Sequence, residues 1–158
     1  MILLSVQVMH EIEQAARLAY PAECCGLLEG RCLGSVVSIS QFHPCFNMAV
    51  EPERAFEIDS VFHLKLQRVL RNGSTSVVGI YHSHPNGAPR PSQRDLECVG
   101  GSDLVWLITS VSTGKRLRTA GFRLRESRSR KWFETEPICT TKRLPIKEVS
   151  PHLIQLGI

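Results

Sequence analysis

Val77-Val78-Gly79-Ile80-Tyr81-His82-Ser83-His84-Pro85-Asn86-Gly87-Ala88-Pro89-Arg90-Pro91-Ser92-Gln93-Arg94-Asp95 carries more of the reading than any other part of this chain. Val77 to Tyr81 is a short, β-branched, mostly apolar run, the pattern of a buried strand. His82 and His84 follow at i and i+2, so in extended backbone both imidazoles leave the same face. Residues 85–91 hold three prolines and a glycine, and neither strand nor helix continues easily through them. Ser92 then opens a helix, with Ser92-x-x-Asp95 as its N-terminal cap ahead of Leu96 and Val99. The loop folds the chain back, and Asp95 in the first helical turn comes within reach of the two histidines.

Two neutral imidazoles and one carboxylate make a donor set that suits zinc and leaves a fourth position for water. Each part has a plainer reading. Ser-x-x-Asp alone is a helix cap, and two histidines beside a proline are ordinary at a surface. Their combination at the end of an apolar strand favours a metal site, with zinc ahead of other divalent ions. Ser83, between the histidines, points the other way and is expected to be packed or hydrogen-bonded. His10, His43, His63 and His152 have no partner at ligand spacing and read as surface or satisfied histidines.

His82-x-His84, seven residues, Ser92, two residues and Asp95 resembles the signature of the JAMM (MPN+) zinc metallopeptidases. That family also carries a glutamate well upstream. Tyr20-Pro-Ala-Glu23-Cys24-Cys25-Gly-Leu-Leu28 resembles the glutamate-bearing segment of its small prokaryotic members. Asn47-Met-Ala-Val-Glu-Pro-Glu-Arg-Ala-Phe56-Glu-Ile-Asp59 resembles their loop and strand entry. The likeness extends over roughly residues 1–135.

The resemblance implies an α/β, cytidine-deaminase-like layered fold, a mixed curved β-sheet flanked by helices. It implies one zinc ion with a bound water, held by His82, His84 and Asp95. Glu23 would be the general base and Ser92 the hydroxyl that donates to the oxyanion. The small prokaryotic type suggests a ubiquitin-like sulfur-carrier protein ending in Gly-Gly as substrate, cleaved beyond the diglycine. Deaminase chemistry itself is not supported, because its His-x-Glu and Pro-Cys-x-x-Cys motifs are missing. Other readings stay open: a zinc peptidase for a cell-wall or phage tail peptide, and a non-catalytic MPN scaffold. A cysteine nucleophile, Cys24 or Cys25 with a histidine, is a rival chemistry, but it leaves the His-x-His and Asp95 spacing without a role.

With 158 residues, 42% of them hydrophobic, the chain is long enough for one self-sufficient core. The domain is expected over residues 1–136. Residues 137–158 change character and read as a C-terminal tail, either docked through Leu153, Ile154 and Leu156 or flexible. The net charge of +4 is modest. The basic cluster from Arg123 to Lys131 lacks an interleaved aromatic series and reads as a solvated hairpin, so no nucleic-acid partner is expected. The start Met1-Ile-Leu-Leu-Ser lacks a signal-peptide pattern. No apolar run reaches membrane-span length, and no membrane association is expected. Six cysteines without a C-x-x-C pair fit a reduced, cytoplasmic setting. A homodimer is compatible with the sequence.

The coarse element order is helical from Met9 to Ala19, then a strand from Cys24 to Leu28 with a turn at Gly30. A strand from Ser35 to Phe42 and a short one at Phe56-Glu-Ile58 follow. Asp59 or Ser60 caps a helix that ends at Asn72-Gly73. Beyond the Ser92 helix come a buried strand at Leu104–Ile108 and a closing pair at Gly121–Leu124 and Trp132–Glu134.

Overall fold

The computed structural model describes residues 1–97, 104–114, 116–127 and 130–142. Their elements, in chain order, are β1 (Ile2–Ser5), α1 (Val6–Ala19), β2 (Cys25–Leu33), β3 (Val36–Cys45), α2 (Ser60–Leu70), β4 (Ser76–Pro85), α3 (Gln93–Glu97), β5 (Val105–Val111), β6 (Arg118–Ser127), β7 (Arg130–Glu136) and β8 (Ile138–Thr141). The strands form one mixed sheet in the order β7-β6-β5-β4-β2-β3-β1-β8. The expected α/β class and mixed sheet with helices are both present.

Each long helix is set by a cap and an apolar stripe. Ser5 accepts a hydrogen bond from the Val8 amide at 3.1 Å and starts α1. Val8, Ile12 and Ala16 recur at helical spacing, and all three are buried. Val8 and Ile12 pack with Leu4, Leu28, Val37, Ile39 and Tyr81. Asp59 caps α2 by accepting from the Val61 and Phe62 amides, and Leu66 and Leu70 pack on Leu27. Leu27 and Leu28 are consecutive in a strand, so they point to opposite faces. The sheet is therefore sandwiched, with α1 on one face and α2 on the other. Truncating a side chain as buried as Leu66 to alanine would cost about 2–5 kcal/mol.

The structure departs from the sequence reading in four places. β1 has no counterpart in the sequence reading: it has four residues, of which Ile2 and Leu4 are buried. β2 does not turn at Gly30 but runs on to Leu33, with a register shift between Glu29 and Gly30 against β3. Gly30 is there for close approach, because a Cβ would collide with the Ser38 carbonyl; the turn comes at Gly34, where φ is 61°. Phe56-Glu-Ile58 makes no strand, only a single bridge between Asn47 and Ile58. Finally, β8 lies at the sheet edge, parallel to β1, with Ile2 opposite Ile138. Val99 and the proposed docking residues Leu153, Ile154 and Leu156 lie outside the described residues.

β4 positions the site. It is central, antiparallel to β2 and parallel to β5. It continues past Tyr81 to Pro85, so both histidines lie within the strand. His82 is in register with Cys25 on one side and Ile108 on the other. A Cβ at Gly79 would stand 2.6 Å from the Val105 carbonyl oxygen, so glycine lets β5 close on β4 just before the histidines. Asn86, at φ 57°, turns the chain out of the strand.

Candidate metal centre and adjoining cleft

His82 and His84 project from one face of β4, as their i, i+2 spacing requires, and their Nε2 atoms stand 3.0 Å apart. Asp95, from α3, brings Oδ1 to 3.4 Å from His82 Nε2 and Oδ2 to 3.5 Å from His84 Nε2. Glu23, in the link between α1 and β2, completes the group: one donor atom each from Glu23, His82 and His84 lies within 4.8 Å of the others. His82, Asp95 and Glu23 are buried.

These separations suit a shared cation. Donors about 2.0–2.1 Å from a tetrahedral zinc lie about 3.3 Å from one another. Proton placement agrees. His84 Nδ1 meets the Ala88 carbonyl at 3.0 Å and must be the donor there, so in the neutral ring Nε2 is the lone-pair nitrogen a metal needs. His82 Nδ1 is buried without a partner, while its Nε2 faces His84 Nε2 and Asp95. Two imidazole nitrogens and a carboxylate converging at this range call for a positive charge among them, a shared proton or a metal ion. The residues present therefore fit a zinc ion.

The electrostatics follow from burial and mutual contact. Burial pushes His82 down, toward the neutral imidazole a metal needs. Burial also pulls on His84, but its hydrogen bonds to Asp95 and the Ala88 carbonyl, with the Glu23 charge, outweigh this and raise it. Burial pushes Asp95 up, yet the two histidines hold it well below the usual carboxylate range. Glu23 has no such partner: burial raises it to about 7, opposed by His84 and Arg94 and helped by Asp95. A carboxyl tuned near neutrality can both take and return a proton.

Ser92 is exposed. Its Oγ accepts from the Asp95 amide at 3.1 Å and donates to Asp95 Oδ2 at 2.8 Å, while its own amide donates to the same oxygen at 2.6 Å. The cap and the ligand readings of Ser92-x-x-Asp95 thus coincide: the cap is what aims Asp95 at the histidines. Ser83 is fully buried and accepts from the Cys24 amide at 2.9 Å. Among the described residues, neither neighbouring thiol meets a histidine. Cys24 reaches the Tyr81 hydroxyl at 3.5 Å and Cys25 faces Cys45.

From sequence, three residues have no individual role, although the Asn47 to Phe56 segment reads as a candidate groove wall. Phe56 stacks on the His82 ring, centroids 4.2 Å apart and planes at 17°, and Trp106 meets the same ring edge-on at 5.7 Å. Together they fix the imidazole's orientation. Asn47 donates through Nδ2 to the Glu23 and Ala55 carbonyls and accepts through Oδ1 from the Ala49 and Glu57 amides. One side chain thereby ties the loop before α2 to Glu23. Only the side-chain amide's four-way bonding capacity hinted at this.

That loop walls a cleft of about 660 Å³ lined by Val50, Phe56, Ile58, Ile80, Arg94 and Trp106, among others. Phe56 and Trp106 belong both to the cleft and to the packing around His82. Arg94 donates to the Arg54 carbonyl at 3.4 Å and joins α3 to the loop. The basic β6–β7 hairpin is ion-paired across its strands: Arg123 with Glu136, Arg125 with Glu134, Lys131 with Glu126.

Residues 5–123 match the family of prokaryotic homologs of the JAB domain. The chain belongs to that family. The fold has a solved counterpart: a solution structure of a protein from Desulfitobacterium hafniense superposes with a TM-score of 0.80, at 28% identity, over 92% of this chain and 96% of that one. The desampylase of Haloferax volcanii is 37% identical over 57% of this chain and 63% of its own length. A probable TtuB-protein conjugate cleaving protease of Thermus thermophilus is 35% identical over 49% of each. The match thus spans less than two thirds of either relative. No helix among the described residues is long and apolar enough to cross a membrane.

Proposed function

We propose that this JAB-family chain is a zinc peptidase that hydrolyses the amide bond after the C-terminal Gly-Gly of a ubiquitin-like, sulfur-carrier type protein. The observation that carries the reading is the convergence of His82 Nε2, His84 Nε2 and the Asp95 carboxylate, with Glu23 beside them. His82, His84 and Asp95 hold the metal. When bound, zinc supplies a Lewis acid that polarises a carbonyl and acidifies water.

The rest is done by this chain. Glu23 accepts the proton of the attacking water on its carboxylate and delivers it to the leaving amine. Its backbone is held at both ends, by the Pro52 carbonyl at 2.6 Å and by Asn47 at 2.9 Å, so the carboxylate starts from a fixed place. Ser92 turns its hydroxyl from Asp95 to the oxyanion. Phe56 and Trp106 shield the buried His82 from water. The cleft receives the carrier's extended tail, and apolar walls with few polar groups suit a slender peptide. The names of the relatives, a desampylase and a conjugate-cleaving protease, support this substrate class.

The test is cleavage of a Gly-Gly carrier bearing a short C-terminal extension, followed by mass spectrometry, with metal content measured in parallel. Cleavage after Gly-Gly by the wild type, lost in Glu23→Gln while zinc is retained, is the expected result. Zinc without cleavage of any Gly-Gly carrier would redirect the search to other peptides, such as cell-wall or phage tail targets. A chain that binds no zinc would overturn the peptidase reading in favour of a scaffold.

A further inference from the structure

Cys25 and Cys45 face each other at the end of the β2–β3 ladder, and their Sγ atoms stand 3.5 Å apart. Directly opposed residues in an antiparallel pair have Cα atoms about 4.5–5.5 Å apart, within the span of a disulfide. The sheet has already brought the two backbones near, and the remaining closure is shared between the sulfurs and the chain at Cys45, the last residue of β3. Cys25 is buried while Cys45 is half-buried, so an oxidant reaches Cys45 first.

Both cysteines are joined to the site described above. Cys25 lies two residues after Glu23 and is the register partner of His82. Cys45 lies two residues before Asn47, which holds the Glu23 carbonyl and the loop lining the cleft. The intervening Phe46 carbonyl is itself 3.8 Å from Cys25 Sγ. We propose that Cys25 and Cys45 are a reversible oxidation site, closed to a disulfide by a small disulfide oxidant, and that closure displaces Asn47 and so slows the reaction at Glu23. The bridge stands on the geometry of the pair; its effect on rate rests on the reading of Glu23 given above.

The step balances with glutathione disulfide as oxidant. Cys45 thiolate attacks one of its sulfurs, and one glutathione thiolate leaves. Cys25, its proton passed to solvent, attacks Sγ of Cys45 in the mixed disulfide and expels the second glutathione. Two protein thiols are oxidised to one disulfide, and one glutathione disulfide is reduced to two thiols. Closure shortens the sulfur separation to about 2.05 Å, and that pull falls on the backbone leading into Asn47.

The experiment equilibrates the zinc-loaded protein in glutathione buffers of graded ratio, blocks free thiols, and maps tryptic peptides. The expected product joins residues 18–31 to residues 32–54. These peptides also contain Cys24 and Cys32, so the Cys24→Ser, Cys32→Ser double variant is run alongside. The link should persist in that variant and vanish in Cys45→Ser, with Cys25→Ala as a second control. Oxidised protein should show altered hydrogen exchange over residues 46–57. Its carrier cleavage should fall about tenfold to a hundredfold, return with dithiothreitol, and be indifferent to the buffer in Cys45→Ser. No link in the double variant overturns the site. A link with unchanged hydrogen exchange and unchanged cleavage overturns its action on Glu23. If even the reduced protein cleaves no carrier, the proposed function fails, while peptide mapping and hydrogen exchange still decide this inference.

Discussion

Glu23 with His82 and His84, and Glu29 with His43, are both carboxylate–imidazole groupings shut away from water on or beside the same three strands. In the second, His43 Nε2 meets Glu29 Oε2 at 2.8 Å, and Thr75 donates to Oε1 at 2.5 Å. Both carboxylate oxygens are engaged, and the group braces β2 against β3 and the approach to β4. In the first, two Nε2 atoms face one point, an aspartate faces it too, and Glu23 is pushed up to about 7 by burial. Burial is common to both. What separates them is whether the donors and acceptors are already committed to one another. A satisfied network stiffens the fold, whereas convergent, uncommitted ones bind and react.

Glutamine at each glutamate gives the sharpest test of that contrast. Glu23→Gln should lower kcat on an extended carrier by about 10²–10⁴, the range for a lost general base, with zinc content and thermal stability near wild type. A small effect on kcat would remove Glu23 from proton transfer. Ser92→Ala should come next, losing about 10²–10³ in kcat if its hydroxyl reaches the oxyanion. It should also lose about 1 kcal/mol of stability, because the cap goes with it. A loss of stability without a loss in kcat would confine Ser92 to capping. Glu29→Gln should behave in the opposite way. A buried partner left imperfectly satisfied costs roughly 1–3 kcal/mol, read as a lowered Tm, while the folded enzyme keeps its kcat. If Glu29→Gln abolished cleavage at unchanged stability, the division between the two clusters would be wrong.

The sequence made the first cluster legible and hid the second, for physical reasons. His82 and His84 occupy a strand whose alternation alone sets their common face, and Ser92-x-x-Asp95 is a local cap whose geometry travels with its spacing. Glu23 was reachable only through resemblance, since its burial depends on the loop held by Asn47. Glu29 and His43 meet through cross-strand pairing at a register shift, which no local pattern encodes, so from sequence His43 is only a surface or satisfied histidine. Phe56 and Trp106 come from a loop and from β5, and they meet at His82 only after the sheet is assembled. β1 is too short for periodicity to show. Gly30 suggested a turn because sequence cannot distinguish a glycine needed for close approach from one needed for a bend.

The smallest expected effect is also the most diagnostic of burial at the first cluster. Glu23 holds its proton to about 7 in the folded, metal-free protein, against 4.5 for a free carboxyl, chiefly because it is buried. Between those values the folded state keeps a proton that the unfolded chain has released. The number of protons bound is then larger in the native state, so stability falls as pH rises through this window and levels off above it. Asp95 acts at lower pH: its depressed value gives stability that is lost as acid protonates it. His84 acts in the same direction as Glu23, because its raised value gives stability that is lost as pH rises. Subtracting a non-titrating variant separates the two. Thermal melts of chelated wild type and Glu23→Gln, from about pH 5 to pH 8, should show the wild type losing Tm faster as pH rises. Equal slopes would mean that Glu23 titrates like a solvated carboxyl, and a solvated carboxyl has no advantage as a base at neutral pH.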